Sequence, residues 1–445
     1  MAGATLPEFP KGREFEEYVA AVFQAAGYIL ERDITEREEI EILQLDSIST
    51  DYDNKPPIIR LIEAKSGDWG FKDIFKIKGW MTYLDIEHGT LITSMDRDRF
   101  ESYQNKSKKM GIDLIFIDDP SNFNDWFKII CDAKVIDQRD VWSWRYYYWL
   151  ERMILNRTRA QKNGQPSAKR FNAILDYAFE INSGVFFNDT IAGRVEALYD
   201  SYGRNRTLAA CCGQEMLGKE FSPEGEQIPQ SIFRDTFYDC KYNEIQSACM
   251  VEQYARLTLL KAVVDYLCYK STGCISKADK TIILKLKDKS IEIPLASFPG
   301  RFDIALNELG KDLYYHRYPV FWQWFLGVFG GFILKDYEKE EYEMLSNKSG
   351  IPIEEINNAF EAWDKLFPNK GGWFREDKNS NIRFLMLYPI PMRGVGANFR
   401  RVLYTSDAKY ESLKISGTYT KNDLIKWNNA AVQLLSSSVS VVRKG

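Results

Sequence analysis

Residues 58–66, with the sequence IIRLIEAKS, constrain the fold of this chain more than any other segment. They form an apolar run that ends in an acid, one spacer residue and a lysine. Alternate side chains of a strand share a face, so Glu63 and Lys65 complete the face that Ile59 and Leu61 begin. The segment predicts a buried strand whose end carries a carboxylate and an ammonium group.

A second strand with the reverse order, acids first and leucines after, is predicted at residues 38–46, with the sequence EEIEILQLD. The two strands are separated by residues 51–57, DYDNKPP, which are rich in turn formers. An antiparallel hairpin centred near Asp53 would place Glu41 opposite Glu63 and the lysine that follows it. The hairpin therefore predicts two acids and a lysine at one point.

This combination of residue types has a specific chemical use. Two neighbouring carboxylates repel each other unless a cation lies between them, and hard oxygen ligands suit Mg²⁺ or Mn²⁺. Such a metal would lower the pKa of bound water and neutralise charge on a phosphate, while Lys65 orients or activates the water. The pattern predicts phosphodiester hydrolysis. The alternative is an exposed hairpin end whose charges are simply solvated, and the matching acids of the second strand argue against it.

Composition narrows the classes of function. At 445 residues the chain has room for two or three domains. With only two histidines, His88 and His316, a multi-histidine metal site or a catalytic triad is not expected. The net charge of −4 means that any basic groove must be local. Seven cysteines without a CxxC pair indicate reduced thiols and a cytoplasmic location.

The longest apolar run, residues 321–334, is FWQWFLGVFGGFIL. At 14 residues it is too short to span a bilayer. It predicts a buried helix and no membrane partner.

The order of elements in the first part of the chain predicts a mixed sheet flanked by helices, an α/β (α+β) fold. Periodicity gives, in order, a helix at 12–26, a strand at 28–33, the hairpin, a helix at 69–84, a strand at 90–94, a helix at 97–110, a strand at 112–118 and a helix at 122–130. Lys72 and Lys76 lie on the helix that follows the hairpin, where they are predicted to face phosphates of a nucleic acid.

Four motifs in the first 130 residues together resemble the PD-(D/E)XK nuclease superfamily in its Mrr-like restriction-endonuclease branch. They are G-x-x-F-E-x-x-V at 12–19, G-Y at 27–28, E-x-E at 39–41 and E-A-K at 63–65. The resemblance implies a nuclease domain at residues 1–136 that cuts DNA with Mg²⁺ or Mn²⁺.

The resemblance also implies site residues: Glu16, Glu39, Glu41, Glu63, Ala64 and Lys65. It makes Glu41, Glu63 and Ala64 the metal ligands and places Lys65 near the attacking water. Glu41 stands where the superfamily has an aspartate, so the first ligand stays open among Glu39, Glu41 and Asp46. Asp46 ranks last, because it is out of phase with Glu41 on the strand.

The remaining residues, 137–445, predict a larger α-rich α+β region. Residues 141–153 are strongly aromatic within a basic segment, which favours a core helix over a surface that stacks on bases. Further helices are predicted at 169–182, 190–201, 233–238, 243–269 and 352–367, and a hairpin at 282–295. A glycine-containing basic loop at 392–401 carries Arg393, Arg400 and Arg401, which are predicted to contact a nucleic-acid backbone.

The layout of a small nuclease followed by a long non-catalytic region is similar to the effector subunit of short prokaryotic Argonaute systems, in which an APAZ region follows the nuclease. This resemblance implies a short Argonaute partner with guide RNA and a DNA target. It also implies cutting of DNA or RNA on activation, with higher-order assembly. Two alternatives stay open: a stand-alone Mrr-like restriction endonuclease whose C-terminal domain reads DNA, and a non-catalytic binding module on a nuclease fold.

Overall fold

The computed structural model of the chain describes residues 6–37, 41–159, 166–183, 190–212, 242–272, 281–286, 289–294, 298, 300–368, 372–376, 382–386, 388–389, 392–396 and 399. The chain forms two compact units, and the first ends at Trp149. The first unit extends past the predicted boundary at residue 136, because the helix that begins at Gln138 packs on it: the Tyr148 hydroxyl donates a hydrogen bond to the Gln24 side chain.

The first unit is built on a five-stranded mixed sheet. Its strands are β1 (Ile29–Arg37), β2 (Glu41–Asp51), β3 (Ile58–Lys65), β4 (His88–Thr93) and β5 (Ile112–Phe116), and their order in the sheet is their order in the chain. The first three form an antiparallel meander, whereas β3, β4 and β5 run parallel. The predicted mixed sheet flanked by helices is confirmed.

Helices cover this sheet: α1 (Arg13–Ala25), α2 (Phe71–Tyr83), α3 (Phe100–Lys108), α4 (Phe123–Phe127) and the first half of α5 (Gln138–Arg159). In α1 the apolar residues Phe15, Val19, Val22 and Phe23 recur at helical spacing and are fully buried. The backbone N–H of Gly12 donates to Ser66 Oγ at 2.6 Å, which ties the start of α1 to the end of β3. The start of α1 is thus held against the strand end that carries the charges.

The register of the hairpin differs from the predicted one. Ser47 lies opposite Ile62, so Asp46, and not Glu41, lies beside Glu63. The prediction that Glu41 faces Glu63 is wrong, because the turn is centred further along the chain than Asp53. Glu63 meets a residue five positions further along β2 than predicted, and an odd shift exchanges the two faces of a strand.

The turn itself explains that register. The Asp51 carboxylate accepts a hydrogen bond from the Asp53 backbone N–H at 2.9 Å and one from the Asn54 side chain at 3.1 Å. Asp51 therefore belongs to the end of β2, and pairing resumes only at Ile58. Glu41, at the other end of β2, pairs with Arg37 of β1 next to an irregularity in the ladder.

The second unit is mostly helical. It contains the end of α5, then α6 (Pro166–Ile181), α7 (Ile191–Cys212), α8 (Tyr242–Thr272), α9 (Gly300–Leu309), α10 (Tyr318–Gly327), α11 (Glu338–Ser349) and α12 (Ile356–Leu366). A hairpin joins β6 (Thr281–Leu286) to β7 (Lys289–Pro294), and a small sheet has the order β8 (Phe332–Leu334), β10 (Ile382–Leu385), β9 (Phe374–Glu376). The predicted α-rich region with a hairpin is confirmed, and the helix predicted at 233–238 lies outside the described residues.

The long apolar run at 321–334 is buried as predicted, but it is not one helix. Helix α10 ends at Gly327, and β8 follows after a turn at Gly330 and Gly331, whose φ angles are 67° and 68°. Residues that carry a side chain rarely adopt this left-handed backbone conformation, whereas glycine adopts it readily. The two glycines therefore separate α10 from β8. No helix among the described residues is long and apolar enough to cross a lipid bilayer.

Candidate active site

Asp46 and Glu63 lie side by side where β2 and β3 end their pairing. Glu63 is only 1% exposed, and the Asp46 carboxylate accepts a hydrogen bond from the backbone N–H of Ala64 at 2.8 Å. The backbone of β3 therefore holds the Asp46 carboxylate, and the same strand places Glu63 in the core. Two carboxylates of neighbouring strands share one small volume.

The two oxygens of Glu63 have different surroundings. Oε1 contacts Lys65 Nζ at 2.8 Å and Lys76 Nζ at 3.3 Å. Oε2 is buried and has no hydrogen-bond partner among the described residues. A buried carboxylate oxygen without a donor is costly, and a cation bound between Glu63 and Asp46 would satisfy it.

The charges of this cluster act on one another. Burial raises the pKa of Asp46 to about 7, and the neighbouring Glu63 adds to the effect. The pKa of Glu16 on α1 is also raised, first by burial and then by Asp33 and Glu63, against the opposing effect of Arg13. The site therefore concentrates more negative charge than its burial favours, which is the condition under which a divalent cation binds.

Lys65 responds to the same field. Burial opposes its charge, but the hydrogen bond and the ion pair with Glu63 outweigh burial, and the pKa of Lys65 is raised above the usual lysine value. Lys65 is therefore protonated at neutral pH. It can donate hydrogen bonds to water or to a phosphate oxygen, and it is a poor base.

A small cavity lies beside the carboxylates. Its lining includes Glu16, Asp46 and Ala64, together with Arg13 and Asp33. Arg13 and Asp33 form an ion pair at 2.7 Å across this cavity. The cavity brings the first-helix glutamate to the same place as the strand acids.

The structure thus brings together four of the residues considered from the sequence, Glu16, Asp46, Glu63 and Lys65, with Ala64 between the last two. Glu41 is exposed on the far part of β2, and Glu39 lies outside the described residues. The sequence signal that points to Asp46 is Asp51, a turn-forming residue. If the turn starts at Asp51, the register of β2 against β3 places Asp46 beside Glu63.

The residues predicted to bind nucleic acid are distributed differently. Lys72 and Lys76 are exposed on α2, and Lys76 reaches Glu63. Arg393 is half-buried in the second unit, where its guanidinium lies 4.6 Å from the centre of the Phe384 ring. Arg400 and Arg401 lie outside the described residues, and the described residues 392–396 are a helical turn where a loop was predicted.

Among the described residues, no three histidine, cysteine or acidic side chains form a group arranged to hold a metal. Two carboxylates are nevertheless a sufficient protein contribution for Mg²⁺, which keeps several waters and substrate oxygens in its shell. The donor set and the unsatisfied Glu63 oxygen fit such an ion. Searches of protein-family models, curated proteins and solved structures found no match to this chain.

Proposed function

We propose that the first unit is a metal-dependent nuclease that hydrolyses phosphodiester bonds of DNA, and of RNA as well. One observation carries the proposal: a buried glutamate with a free carboxylate oxygen lies beside an aspartate at a strand end, with a lysine on its other oxygen. Asp46 is also the residue type that the resemblance to PD-(D/E)XK nucleases implies for the first ligand. With Asp46 as the first ligand, the chain has an aspartate at the position where Glu41 differed from the superfamily.

Asp46 and Glu63 would hold Mg²⁺ or Mn²⁺, with the carbonyl of Ala64 as the further ligand that the resemblance implies. When bound, this ion would lower the pKa of a coordinated water and offset negative charge on the phosphate. Lys65 donates a hydrogen bond to the attacked phosphate or to the water. Glu16, whose pKa is raised, accepts a hydrogen bond from water in the adjoining cavity.

The test is cleavage of labelled DNA by the full chain in Mg²⁺, compared with Glu63→Gln and Lys65→Met. We expect each variant to lose at least about 100-fold in rate, since removing one group that stabilises developing charge costs that much. Excess EDTA should abolish cleavage by the wild type. Mn²⁺ binding, followed by electron paramagnetic resonance, gives a readout that does not depend on turnover and should weaken in Glu63→Gln.

Glu41→Gln is the matched control, because Glu41 lies on the same strand but is exposed and remote from the pairing of Ser47 with Ile62. It should cut at close to the wild-type rate. Full activity of Glu63→Gln, or of the wild type in EDTA, would refute the nuclease proposal and favour a non-catalytic binding module.

Activation by a short Argonaute carrying guide RNA belongs to the same proposal, and the supporting feature is the second unit, which is larger than the first and predominantly helical. Purified chain that cuts DNA without a partner would favour the stand-alone restriction enzyme instead. Cutting that requires co-expression with an Argonaute-like protein would support the partner.

A further inference from the structure

The outer face of α2 carries an aromatic ridge next to the candidate active site. Phe75 is 62% exposed. Its ring centre lies 5.8 Å from that of Phe71, which in turn lies 4.9 Å from Tyr103 of α3. A phenylalanine on a helix surface is normally less exposed than this, and here its ring contacts Phe71, which in turn contacts Tyr103.

Lysines surround this ridge. Lys72 and Lys106 are exposed, and Lys106 Nζ lies 5.2 Å from the centre of the Phe71 ring. Within the described residues neither lysine forms an ion pair. Asp73 of α2 forms no ion pair with either lysine; it is buried and accepts a hydrogen bond from the Gly70 backbone N–H at 2.7 Å. Glu101, at the start of α3, is the nearest exposed acid in sequence to this ridge.

The ridge continues into the site through Lys76. This residue follows Phe75 in the chain, and its Nζ lies 3.3 Å from Glu63 Oε1 and 4.1 Å from the centre of the Trp80 ring. Lys72 precedes Lys76 by one helical turn, so both lie on the same face of α2. A polynucleotide that crosses the carboxylates would therefore pass over Phe75.

We propose that Phe71, Lys72, Phe75, Tyr103 and Lys106, hereafter the α2 ridge, bind a nucleic-acid strand with unpaired bases. Phe75 stacks on a base, and Lys72 and Lys106 contact the flanking phosphates. This inference rests on the proposed nuclease function and names its substrate class. The reason is steric: bases inside a duplex are stacked on their neighbours on both faces, so an exposed ring can stack on a base without first unstacking it only in a single strand.

The first test is binding of 5′-fluorescein-labelled oligothymidylate, oligouridylate and a matched DNA duplex by the full chain in EDTA, where no cleavage occurs. Phe75→Ala should bind both single strands about 5- to 150-fold more weakly, the loss expected for one stacked base. Duplex binding should change less than about twofold, since stacking is absent there. Comparison of the affinities for oligothymidylate and oligouridylate shows whether DNA or RNA is the preferred ligand.

Two further variants control for the fold and for apolarity. Phe75→Trp keeps a stacking ring and should retain single-strand affinity. Ile129→Ala removes an apolar side chain that is 50% exposed in the same unit but outside the α2 ridge, and it should bind as the wild type does. Circular dichroism and thermal unfolding verify that each variant is folded.

The lysines are tested through salt dependence. Lys72→Gln and Lys106→Gln should each reduce the slope of log affinity against log salt by about 0.7, the value for one phosphate contact on a single strand. Lys128→Gln is the matched control, since Lys128 is an exposed lysine that pairs with Asp125.

Unchanged single-strand affinity in Phe75→Ala would overturn the inference, as would equal losses for single strands and duplex, or the absence of oligonucleotide binding by the wild type at low salt. If Phe75→Ala bound oligonucleotides normally but no longer bound a protein that the wild type binds, Phe75 would belong to a protein contact. That result would also overturn the inference. The nuclease proposal is tested separately by Glu63→Gln cleavage. It survives if Glu63→Gln is inactive while Phe75→Ala binds normally.

Discussion

Neighbouring acids decide the chemistry of this site at the scale of single residues. Asp46 and Glu63 are held close by backbone pairing of their strands, and two lysines and a backbone N–H offset their charge. Glu41 has none of these neighbours. A metal ligand must meet the second ligand in space, so its position in the register matters more than its residue type.

Asp46→Asn should therefore abolish cleavage, with a loss of at least about 100-fold, because it removes a charge that stabilises the bound cation. Asparagine retains the carbonyl oxygen that accepts the hydrogen bond from Ala64, so the strand end should keep its structure. Cleavage of labelled DNA in Mg²⁺ measures the effect, and Glu41→Gln again provides the comparison. Activity lost in Glu41→Gln and kept in Asp46→Asn would restore Glu41 as the first ligand.

The pKa of Asp46 predicts how stability depends on pH in metal-free protein. The folded-state pKa is raised to about 7 by burial and by Glu63, from an ordinary value of 3.8. The folded protein thus binds this proton more tightly than the unfolded chain does. The resulting stabilisation is present below about pH 4 and is lost as the pH rises to about 7.

Thermal unfolding in EDTA from pH 5 to pH 8 measures this loss. Asp46→Asn cannot ionise, so its unfolding temperature should fall less than that of the wild type over this range, and the variant should be the more stable protein at pH 8. An Asp46→Asn protein that is less stable than the wild type at pH 8 would contradict the assignment.

At the scale of elements, the approach of α2 to the sheet positions Lys76 over Glu63. Helix α2 packs on β4 at Gly89, where an added Cβ would lie 2.5 Å from Met81 Sδ and 3.0 Å from Ile77 Cγ2. Only a residue without a side chain permits this approach. Gly89 therefore contributes to the close packing of α2 on β4.

Gly89→Ala should destabilise the first unit by about 1–3 kcal/mol, the usual cost of overpacking a buried contact. It should also weaken cleavage, because α2 must move away from β4. Chemical denaturation measures the free energy of unfolding. Gly79→Ala is the control on the same helix: an added Cβ there meets nothing within 4 Å, so this variant should be stabilised by about 0.5–1 kcal/mol. Equal effects of the two substitutions would mean that α2 does not depend on Gly89.

At the scale of the whole molecule, each compact unit has its own core. In the second unit Trp322 stacks on Trp363 with ring centres 3.9 Å apart, and Arg256 is buried with its guanidinium 3.6 Å from the centre of the Trp373 ring. Arg256 is paired with Glu252 at 2.6 Å. These contacts hold the helices of the second unit and include none of the candidate site residues.

Metal binding should therefore stabilise one unit selectively. Hydrogen–deuterium exchange of the full chain, with and without Mg²⁺, should show slower exchange in β2 and β3 and unchanged exchange in α8. At a metal concentration about 100 times Kd the gain is about 2.7 kcal/mol, which slows exchange by global opening about 100-fold. Asp46→Asn should remove the effect. Protection confined to α8 would place the metal elsewhere.

Local sequence patterns are sufficient to predict the elements of the first unit and the chemistry available at the end of β3. Alternating and helical spacing of apolar residues is a local property, and so the helices, the strands and their order were predicted within a few residues. The pair of charges in EAK was predicted at a strand end for the same reason. The burial of the aromatic segment at 141–153 followed from the excess of large rings: Trp144, Tyr146 and Tyr148 are buried.

Which acid of β2 meets Glu63 depends instead on contacts that are distant in sequence. The register depends on which residues form the turn. The hydrogen bonds of Asp51 place the turn further along the chain than predicted, and the opposite face of β2 then meets Glu63. Tertiary contacts also determine that Lys76 reaches Glu63 and that Phe75 is left exposed, since both depend on how α2 packs on the sheet. Contacts between strands and helices distant in sequence leave no periodic trace in the chain, and at this site such contacts select the acids that meet.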